Sequence, residues 1–328
     1  MKLESIFLDD RNIPRSGWRF AIFVTIFSFT LAFFSFGTVS LLHALGKPPV
    51  ERSLSWFVTN GAVSLLAALI VGWLCGKFLE RIPFRALGAW FTNLWLEHLT
   101  LGVIIGAATI LFAVLVAMAF GGLRFTSNPD SDSNAIIATL SVSLLVFAVG
   151  AAFEEALFRG YILQTFNRSG LAWLAIILTS VFFGLAHIRN PNPNILSTIN
   201  TILAGVWFSV AYLKTRDLWF AWGMHLVWNW IQGAVFGIEV SGLTFFTPSP
   251  LLKEIDKGPT WLTGETYGIE GGIACTIALI ISTAIIYFLP VIKPSEEMLA
   301  LTSKNFGVAG SAGSLSSEMP TKAGTPNA

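Results

Sequence analysis

Residues 135–160 read AIIATLSVSLLVFAVGAAFEEALFRG, and this stretch decides the fold class of the protein. No charged residue occurs from Ala135 to Phe153. An apolar run of about 20 residues is long enough for a helix to cross a bilayer. Glu154, Glu155 and Arg159 then follow directly. Because a charge at the centre of a spanning helix costs about 2.5–3.5 kcal/mol, these side chains should face a bundle interior or a wet cavity.

The composition of the whole chain agrees with a membrane protein. Of its 328 residues, 54% are hydrophobic and 12% charged, and the mean hydropathy is +0.70. Soluble domains carry about 25% charged residues. The net charge of +1 gives no support for a nucleic-acid partner, and none is predicted. Cys75 and Cys275 lie in separate apolar runs without a neighbouring ligand, so both are interpreted as small apolar residues.

The sequence predicts an all-α polytopic membrane bundle of about eight transmembrane helices with a buried polar cavity. The fourth span should be one long helix, and the fifth should stop at the Arg189–Pro193 segment, which contains two prolines. The predicted spans are Trp18–Leu45, Trp56–Phe78, Leu99–Phe120, Ala135–Phe166, Leu171–Ile188, Ile195–Leu213, Leu218–Gly237 and Gly272–Ile292.

The distribution of basic residues predicts the orientation, because Lys and Arg are enriched in cytoplasmic loops. Eleven basic residues fall on the side of the two termini, and six fall on the other side. Both termini are therefore predicted to be cytoplasmic. The long loop Glu239–Gly271 should face away from the cytoplasm.

The three charges in the fourth span differ in their expected roles. Glu155 and Arg159 are four residues apart, so they share one helix face and should form a structural ion pair. Glu154 points about 100° away from Glu155 and has no partner on its own helix. It must therefore find water, a proton or a donor from another helix.

Polar groups on two further spans complete the set. His187 ends the fifth span, and His225 and Asn229 share a face of the seventh. His43 and His98 lie near span ends and are interpreted as interfacial residues. The plainer alternative is that the deep polar residues only hold helices together through hydrogen bonds. That interpretation also suits Ser197 and Asn200 in the sixth span.

A carboxylate and two histidines in an apolar bundle favour water activation, and therefore peptide hydrolysis inside the membrane. Other protease types lack their patterns here, since the sequence has no Asp within a span, no HExxH motif and no GxSxG motif on a span. A transporter would be expected to show broken helices in two related halves. The sequence shows no such symmetry.

Three motifs then stand in order along the chain: EEALFR at 154–159, FGLAH at 183–187 and HLVWN at 225–229. They resemble the EExxxR, FxxxH and HxxxN motifs of the CAAX-protease and bacteriocin-processing (CPBP) family, the Abi- or Rce1-like intramembrane proteases. The resemblance covers about residues 135–237. The segment WLTGETYGIEGG at 261–272 gives weaker support.

The resemblance implies roles for individual residues. Glu154 is similar in position to the water-activating base, with His187 assisting, while His225 and Asn229 resemble transition-state stabilisers. Glu155 and Arg159 resemble the structural pair. Relatives are helical bundles whose cavity opens to the cytosolic side and the membrane. A mechanism that requires no cofactor is favoured, and zinc held by Glu154, His187 and His225 is the alternative.

The resulting domain prediction has six parts. They are a cytoplasmic N-terminal segment (1–17), helices 1–3 (18–134), a catalytic core of helices 4–7 bearing the motifs (135–237), an extracytoplasmic loop (238–271), helix 8 (272–293) and a disordered cytoplasmic tail (294–328).

The predicted function is that of an intramembrane endopeptidase in a bacterial plasma membrane. Its partners would be membrane lipid and a peptide or protein substrate, either lipidated and processed in CAAX fashion or bacteriocin-like and linked to self-immunity. The alternative is a non-proteolytic membrane scaffold or binding protein, with a transporter less favoured.

Overall fold

The computed structural model of the chain describes residues 4–10, 12–48, 50 and 53–302. Within this part, eight long helical segments follow one another. They are α1 (Ser16–Ala44), α2 (Leu54–Glu80), α3 (Trp95–Ala119), α4 (Ser133–Arg168), α5 (Ala172–His187), α6 (Ile195–Thr215), α7 (Leu218–Trp230, continued by the π-helical turn Ile231–Val235) and α8 (Ile273–Phe288). The predicted all-α membrane bundle is confirmed, and each predicted span corresponds to one of these segments.

Five of these helices, α1, α2, α3, α4 and α6, are long and apolar enough to cross a membrane, while α5 and α8 are shorter apolar helices. Helix α7 is less apolar, because His225, Asn229 and Gln232 interrupt its hydrophobic residues. The chain is an integral membrane protein. Short helices also occur at Glu4–Phe7, Phe84–Leu87, Thr260–Thr263, Glu265–Tyr267, Ile269–Gly271 and Glu296–Thr302.

Side-chain caps explain where several helices begin. The Asp132 carboxylate accepts a hydrogen bond from the Ala135 amide at 2.7 Å at the start of α4. Asn194 forms a capping box with Ser197 at the start of α6. Such caps satisfy amides that have no partner in the first helical turn. Because α5 ends at His187 and α6 is capped by Asn194, the intervening turn holds His187 at one end of the bundle.

Neighbouring helices pack closely through small residues. Helix α3 lies against α7, α5 against α6, α6 against α8, and α2 and α7 both against α4. At the α3–α7 crossing, a Cβ atom built on Gly106 would lie 2.6 Å from the Met224 carbonyl oxygen. Only glycine permits this approach, as is common where membrane helices pack without a hydrophobic driving force. The tight crossing fixes α7, which carries His225 and Asn229.

A two-stranded antiparallel sheet is one element that the sequence prediction missed. Strand β1 (Leu123–Ser127) precedes α4, and strand β2 (Leu252–Asp256) lies in the long loop between α7 and α8. The register pairs Phe125 with Glu254. The two strands are 129 residues apart in sequence at this pair and are not joined by a hairpin turn, so no local sequence pattern predicted their pairing.

The sheet contains a carboxyl group with a strongly perturbed acidity. Burial, together with the nearby Glu239 and Asp256 carboxylates, raises the pKa of Glu254 to about 8. A pKa that is higher in the folded state means that folding stability falls as pH rises from about 4.5 to about 8. We therefore expect Glu254→Gln to raise the melting temperature at pH 9, and to have little effect near pH 4.5.

One pKa unit corresponds to about 1.4 kcal/mol, so Glu254→Gln should increase the free energy of unfolding at pH 9 by on the order of 1 kcal/mol or more. Thermal melting of the purified protein in detergent at both pH values measures it. The exposed Asp10 supplies the matched control, Asp10→Asn. An equal effect of Glu254→Gln at both pH values would contradict the prediction.

The predicted disordered tail, 294–328, is wrong for its first residues. Glu296–Thr302 forms a helix, and Met298 and Leu301 are buried in a cluster with Ile82 and Ala86. The apolar residues within SEEMLALT supply the burial that the Gly- and Ser-rich composition farther along lacks. The remainder of the predicted tail, 303–328, lies outside the described residues.

Buried charges occur at the end of the bundle that contains the start of α1. Glu80 accepts hydrogen bonds from Arg168 at 3.0 Å and from Thr165 at 2.9 Å, and it pairs with Arg19. This cluster joins α1, α2 and α4. His98, interpreted from the sequence as an interfacial residue near a span end, is buried against Asp217. These groups stabilise the bundle through residues that lie outside the three motifs.

Candidate active site

A cavity of about 300 Å³ lies among the helices that carry the three motifs. Glu154, His187, His225 and Asn229 all line it, so the fold brings together the four residues predicted from the sequence to be catalytic. Most of the remaining wall is aromatic and aliphatic. Among its residues are Phe57, Val146, Phe147, Phe183, Trp207, Phe208, Trp228, Phe246 and Leu279.

The two adjacent glutamates lie in different environments. The side chain of Glu154 is 27% exposed and faces the cavity, whereas that of Glu155 is fully buried. Both nevertheless approach one imidazole. His225 Nδ1 lies 2.9 Å from Glu155 Oε1, and His225 Nε2 lies 3.7 Å from Glu154 Oε2. The first distance is a hydrogen bond and the second is too long for one. His225 therefore stands between the buried and the exposed carboxylate.

Arg159 lies in the π-helical stretch Ala156–Leu163 that follows the glutamates. Its Nη1 is 3.2 Å from Glu155 Oε1, and its Nη2 donates to the Gly205 carbonyl of α6 at 3.0 Å. The guanidinium also lies 4.9 Å from the Phe183 ring and 5.2 Å from the Phe208 ring. Arg159 does not line the cavity. The ion pair expected from the four-residue spacing is therefore present, and it lies behind the cavity wall.

His187 is held at the end of α5 by its own helix. Its Nδ1 lies 2.8 Å from the Phe183 carbonyl oxygen. A carbonyl can only accept, so Nδ1 carries the proton and a neutral ring has its free lone pair on Nε2. The centroids of the Phe183 and His187 rings are 4.8 Å apart, and the Phe183 ring also packs against the His225 ring at a centroid distance of 6.0 Å. The aromatic residue of FGLAH thus packs between the two histidines.

The geometry bears on the zinc alternative. Across residues 4–302, wherever the structure is described, no three His, Cys, Asp or Glu side chains are grouped so as to hold a metal ion. The bond from His225 Nδ1 to Glu155 leaves Nε2 free for a ligand, so this contact does not by itself argue against a metal. In this arrangement Glu154, His187 and His225 are nevertheless not grouped as a three-ligand site.

One wall of the cavity comes from the long loop, which the sequence analysis had not included in the site. Glu270 Oε2 accepts hydrogen bonds from the Ser241 amide at 2.6 Å and hydroxyl at 2.8 Å, and Oε1 accepts from Trp228 Nε1 at 3.3 Å. Asn200 Nδ2 donates to the Glu270 carbonyl at 2.8 Å. The segment 261–272, which gave weaker support to the family resemblance, was the part of the sequence that could have indicated this wall. Asn200 therefore links α6 to this loop, and it also lines the cavity.

The position of this wall bears on the orientation. The Ser249 amide of the loop donates a hydrogen bond to Thr139 near the start of α4. At the other end of α4, Arg19 of α1 donates to Ser169, the residue that follows this helix. The loop wall and the start of α1 therefore lie at opposite ends of the bundle. The basic residues place that wall outside the cytoplasm, whereas the resemblance implies a cavity open to the cytosol. The orientation stays a prediction.

Comparison with known proteins gives an independent result. Residues 136–231 match the family model described as type II CAAX prenyl endopeptidase Rce1-like. The uncharacterized protein YyaK of Bacillus subtilis (strain 168) is 25% identical over 183 residues. That alignment covers 53% of this chain and 54% of the relative, about half of each. The predicted resemblance to the CPBP family is thus confirmed over residues 136–231, the segment of this chain that carries all three motifs.

Proposed function

We propose that this protein is an intramembrane endopeptidase that hydrolyses a peptide bond of a membrane-associated protein or peptide. The observation that carries the proposal is the single cavity that Glu154, His187, His225 and Asn229 line within a bundle of apolar helices. The Rce1-like match over the same residues supports it. Helix packing alone would not need four polar side chains turned toward one open space.

Glu154 is the proposed general base. It is the more exposed of the two adjacent glutamates, and within the described structure its buried Oε2 has no hydrogen-bond partner. An oxygen in this state can accept a proton from a water molecule in the cavity. General-base catalysis of this kind contributes about 10²–10⁴-fold to a rate.

His225 is the proposed donor to the oxyanion. The hydrogen bond between His225 Nδ1 and Glu155 fixes the orientation of the ring. His225 lines the cavity, and in the proposed role its Nε2, 3.7 Å from Glu154 Oε2, carries the proton that is donated to the oxyanion. The Asn229 amide, one helical turn away, supplies a second donor. Preorganised donors in a water-poor site are effective because they need no reorganisation during the reaction.

His187 is proposed to assist the base. The hydrogen bond from Nδ1–H to the Phe183 carbonyl fixes the ring orientation and leaves Nε2 as an acceptor. A fixed acceptor in the cavity wall can share the proton that Glu154 removes. It can then pass that proton toward the departing amine.

The substrate is proposed from the family and from the cavity. The matched family is described as a CAAX prenyl endopeptidase, so a lipidated protein C-terminus is the first candidate. A bacteriocin-like peptide is the second. The largely apolar cavity wall suits either substrate. An apolar peptide of either kind can reach the cavity laterally from the membrane. We further propose a bacterial plasma membrane, with both termini cytoplasmic.

The experiment for this function is peptide cleavage by the purified protein in lipid nanodiscs, with and without a chelator. We expect cleavage that a chelator leaves unchanged, because the described structure does not group Glu154 and the two histidines as a three-ligand site. Metal content of the same preparation is measured by mass spectrometry. Stoichiometric zinc that is lost together with cleavage, and restores it when added back, would overturn the metal-free mechanism.

A further inference from the structure

Gly150 is a glycine of α4 whose side-chain space is empty. It lines the cavity, and a Cβ atom built on it would meet nothing within 4 Å. Gly17 and Gly37 of α1 share this feature but do not line the cavity, whereas several other helical glycines are closely packed. A Cβ on Gly61 would lie 3.0 Å from Val149, and one on Gly205 would lie 2.6 Å from Ser180. Close packing explains those glycines but not Gly150, which also has no left-handed φ angle.

Gly150 lies one helical turn from the proposed base. Residues four apart share a helix face, so Val146, Gly150 and Glu154 follow one another along the cavity side of α4. A larger residue at position 150 would project into the space beside Glu154. A glycine inside a helix is less favourable than alanine, which makes an unexplained glycine at this position informative.

The surfaces around this space are apolar. Phe147 packs edge-on against Phe246 of the long loop at 5.5 Å, and Phe246 packs against Phe57 of α2 at 4.8 Å. All three rings line the cavity. Together with Val146 they form what we call the aromatic pocket, which Gly150 connects to Glu154.

We propose that Gly150 determines substrate specificity by keeping the aromatic pocket open for one bulky apolar side chain next to the scissile bond. This rests on the proposed endopeptidase function. A pocket of this composition favours a large apolar group and offers no partner for a charged one. Methylene-sized differences in apolar pockets change selectivity by about 10–200-fold.

The first experiment probes the space without requiring catalysis. In a Cys275→Ala background, Gly150→Cys is exposed to benzyl methanethiosulfonate in nanodiscs, and labelling is followed by mass spectrometry. The buried Cys75, outside the cavity, is the internal reference. We expect the thiol at position 150 to react faster than that of Cys75, because position 150 opens on the cavity whereas Cys75 is buried. Equal labelling of both thiols would overturn the proposal.

The second experiment asks what occupies the space. Membrane-anchored peptides that differ only in Phe or Ala at one position are added to Glu154→Gln/Gly150→Cys/Cys275→Ala protein, which cannot turn them over on the proposed mechanism. Peptides with Phe at the position next to the scissile bond should slow the labelling, and their Ala counterparts should not. Equal protection by the two sets would contradict the assigned pocket.

The third experiment measures specificity in the active protein. Gly150→Leu should lower the cleavage of the Phe peptide relative to the Ala peptide by at least about tenfold. The control is Gly37→Leu on the exposed face of α1, where a Cβ also meets nothing within 4 Å. It should leave the ratio unchanged.

The outcomes separate the two proposals. Protection without any cleavage by the wild type would overturn the endopeptidase and leave the pocket standing. Cleavage with an unchanged Phe-to-Ala ratio in Gly150→Leu would overturn the pocket and leave the endopeptidase standing.

Discussion

Glu154→Gln is expected to abolish peptide cleavage, lowering the rate by about 10²–10⁴-fold, while the protein still inserts and folds. The amide has the shape of the carboxylate but cannot take a proton from water. Glu154 is partly exposed, and its contact with His225 Nε2 is 3.7 Å long, so folding should depend on it little. Cleavage of membrane-anchored peptides and the melting temperature are measured on the same preparation.

The control for Glu154→Gln is the same change at an exposed carboxylate outside the cavity, Glu97→Gln, which should cleave at the wild-type rate. Glu154→Ala extends the test, because it removes the acceptor altogether. Full activity of purified Glu154→Ala would contradict the assignment of the base.

Combining substitutions distinguishes an enzyme from a scaffold. Residues that act as one catalytic unit are strongly non-additive. Glu154→Gln, His187→Ala and His225→Ala should therefore each reduce cleavage about as much as the triple variant does. A membrane scaffold should tolerate His225→Ala with little loss of function in cells. If all three single variants keep wild-type function, a binding or assembly role becomes the better account.

Much of this fold could be predicted because the membrane imposes a strong rule on sequence. Backbone amides in a lipid environment must bond internally, so long apolar runs become helices. The fourth predicted span, Ala135–Phe166, lies within α4, Ser133–Arg168. The deep polar residues could be identified for the same reason. A charge such as Glu154 is costly at membrane depth and stands out against an apolar run.

The buried polar clusters near helix ends could not be found in this way. Glu80 and Arg168 fall just outside the predicted spans, where charged residues normally meet water or lipid headgroups. Their burial results from the packing of α1, α2 and α4 against one another. The pairing of His98 with Asp217 likewise joins residues far apart in sequence. The hydropathy of a segment shows how apolar it is, but it does not show which helix ends pack against one another in the folded bundle.

The loop wall of the cavity was missed for a related reason. Glu270 is one polar residue within a polar loop, so nothing in its local composition separates it from solvated neighbours. Its importance comes from its contacts with Ser241 of the same loop and Trp228 of α7. Loops that carry function are positioned by the scaffold, and that positioning is a tertiary property.

Glu155→Gln is expected to damage both stability and activity, unlike Glu154→Gln. The substitution leaves the fully buried Arg159 without its carboxylate partner. Removing one member of a buried ion pair costs about 3–5 kcal/mol. The Gly205 carbonyl and the two flanking aromatic rings should offset only part of this loss. Lower yield and a lower melting temperature in detergent are the readouts.

Activity should fall for a separate reason, because Glu155 also holds His225 Nδ1 at 2.9 Å. Double substitution separates the two effects. Glu155→Gln/Arg159→Met removes both charges, and replacing a whole buried pair is far less costly than breaking it. We therefore expect the double variant to melt above the single variant, yet to stay inactive because His225 has still lost its anionic partner. Recovery of cleavage along with stability would show that Glu155 acts only through Arg159, and a wild-type melting temperature for Glu155→Gln would contradict the buried pair itself.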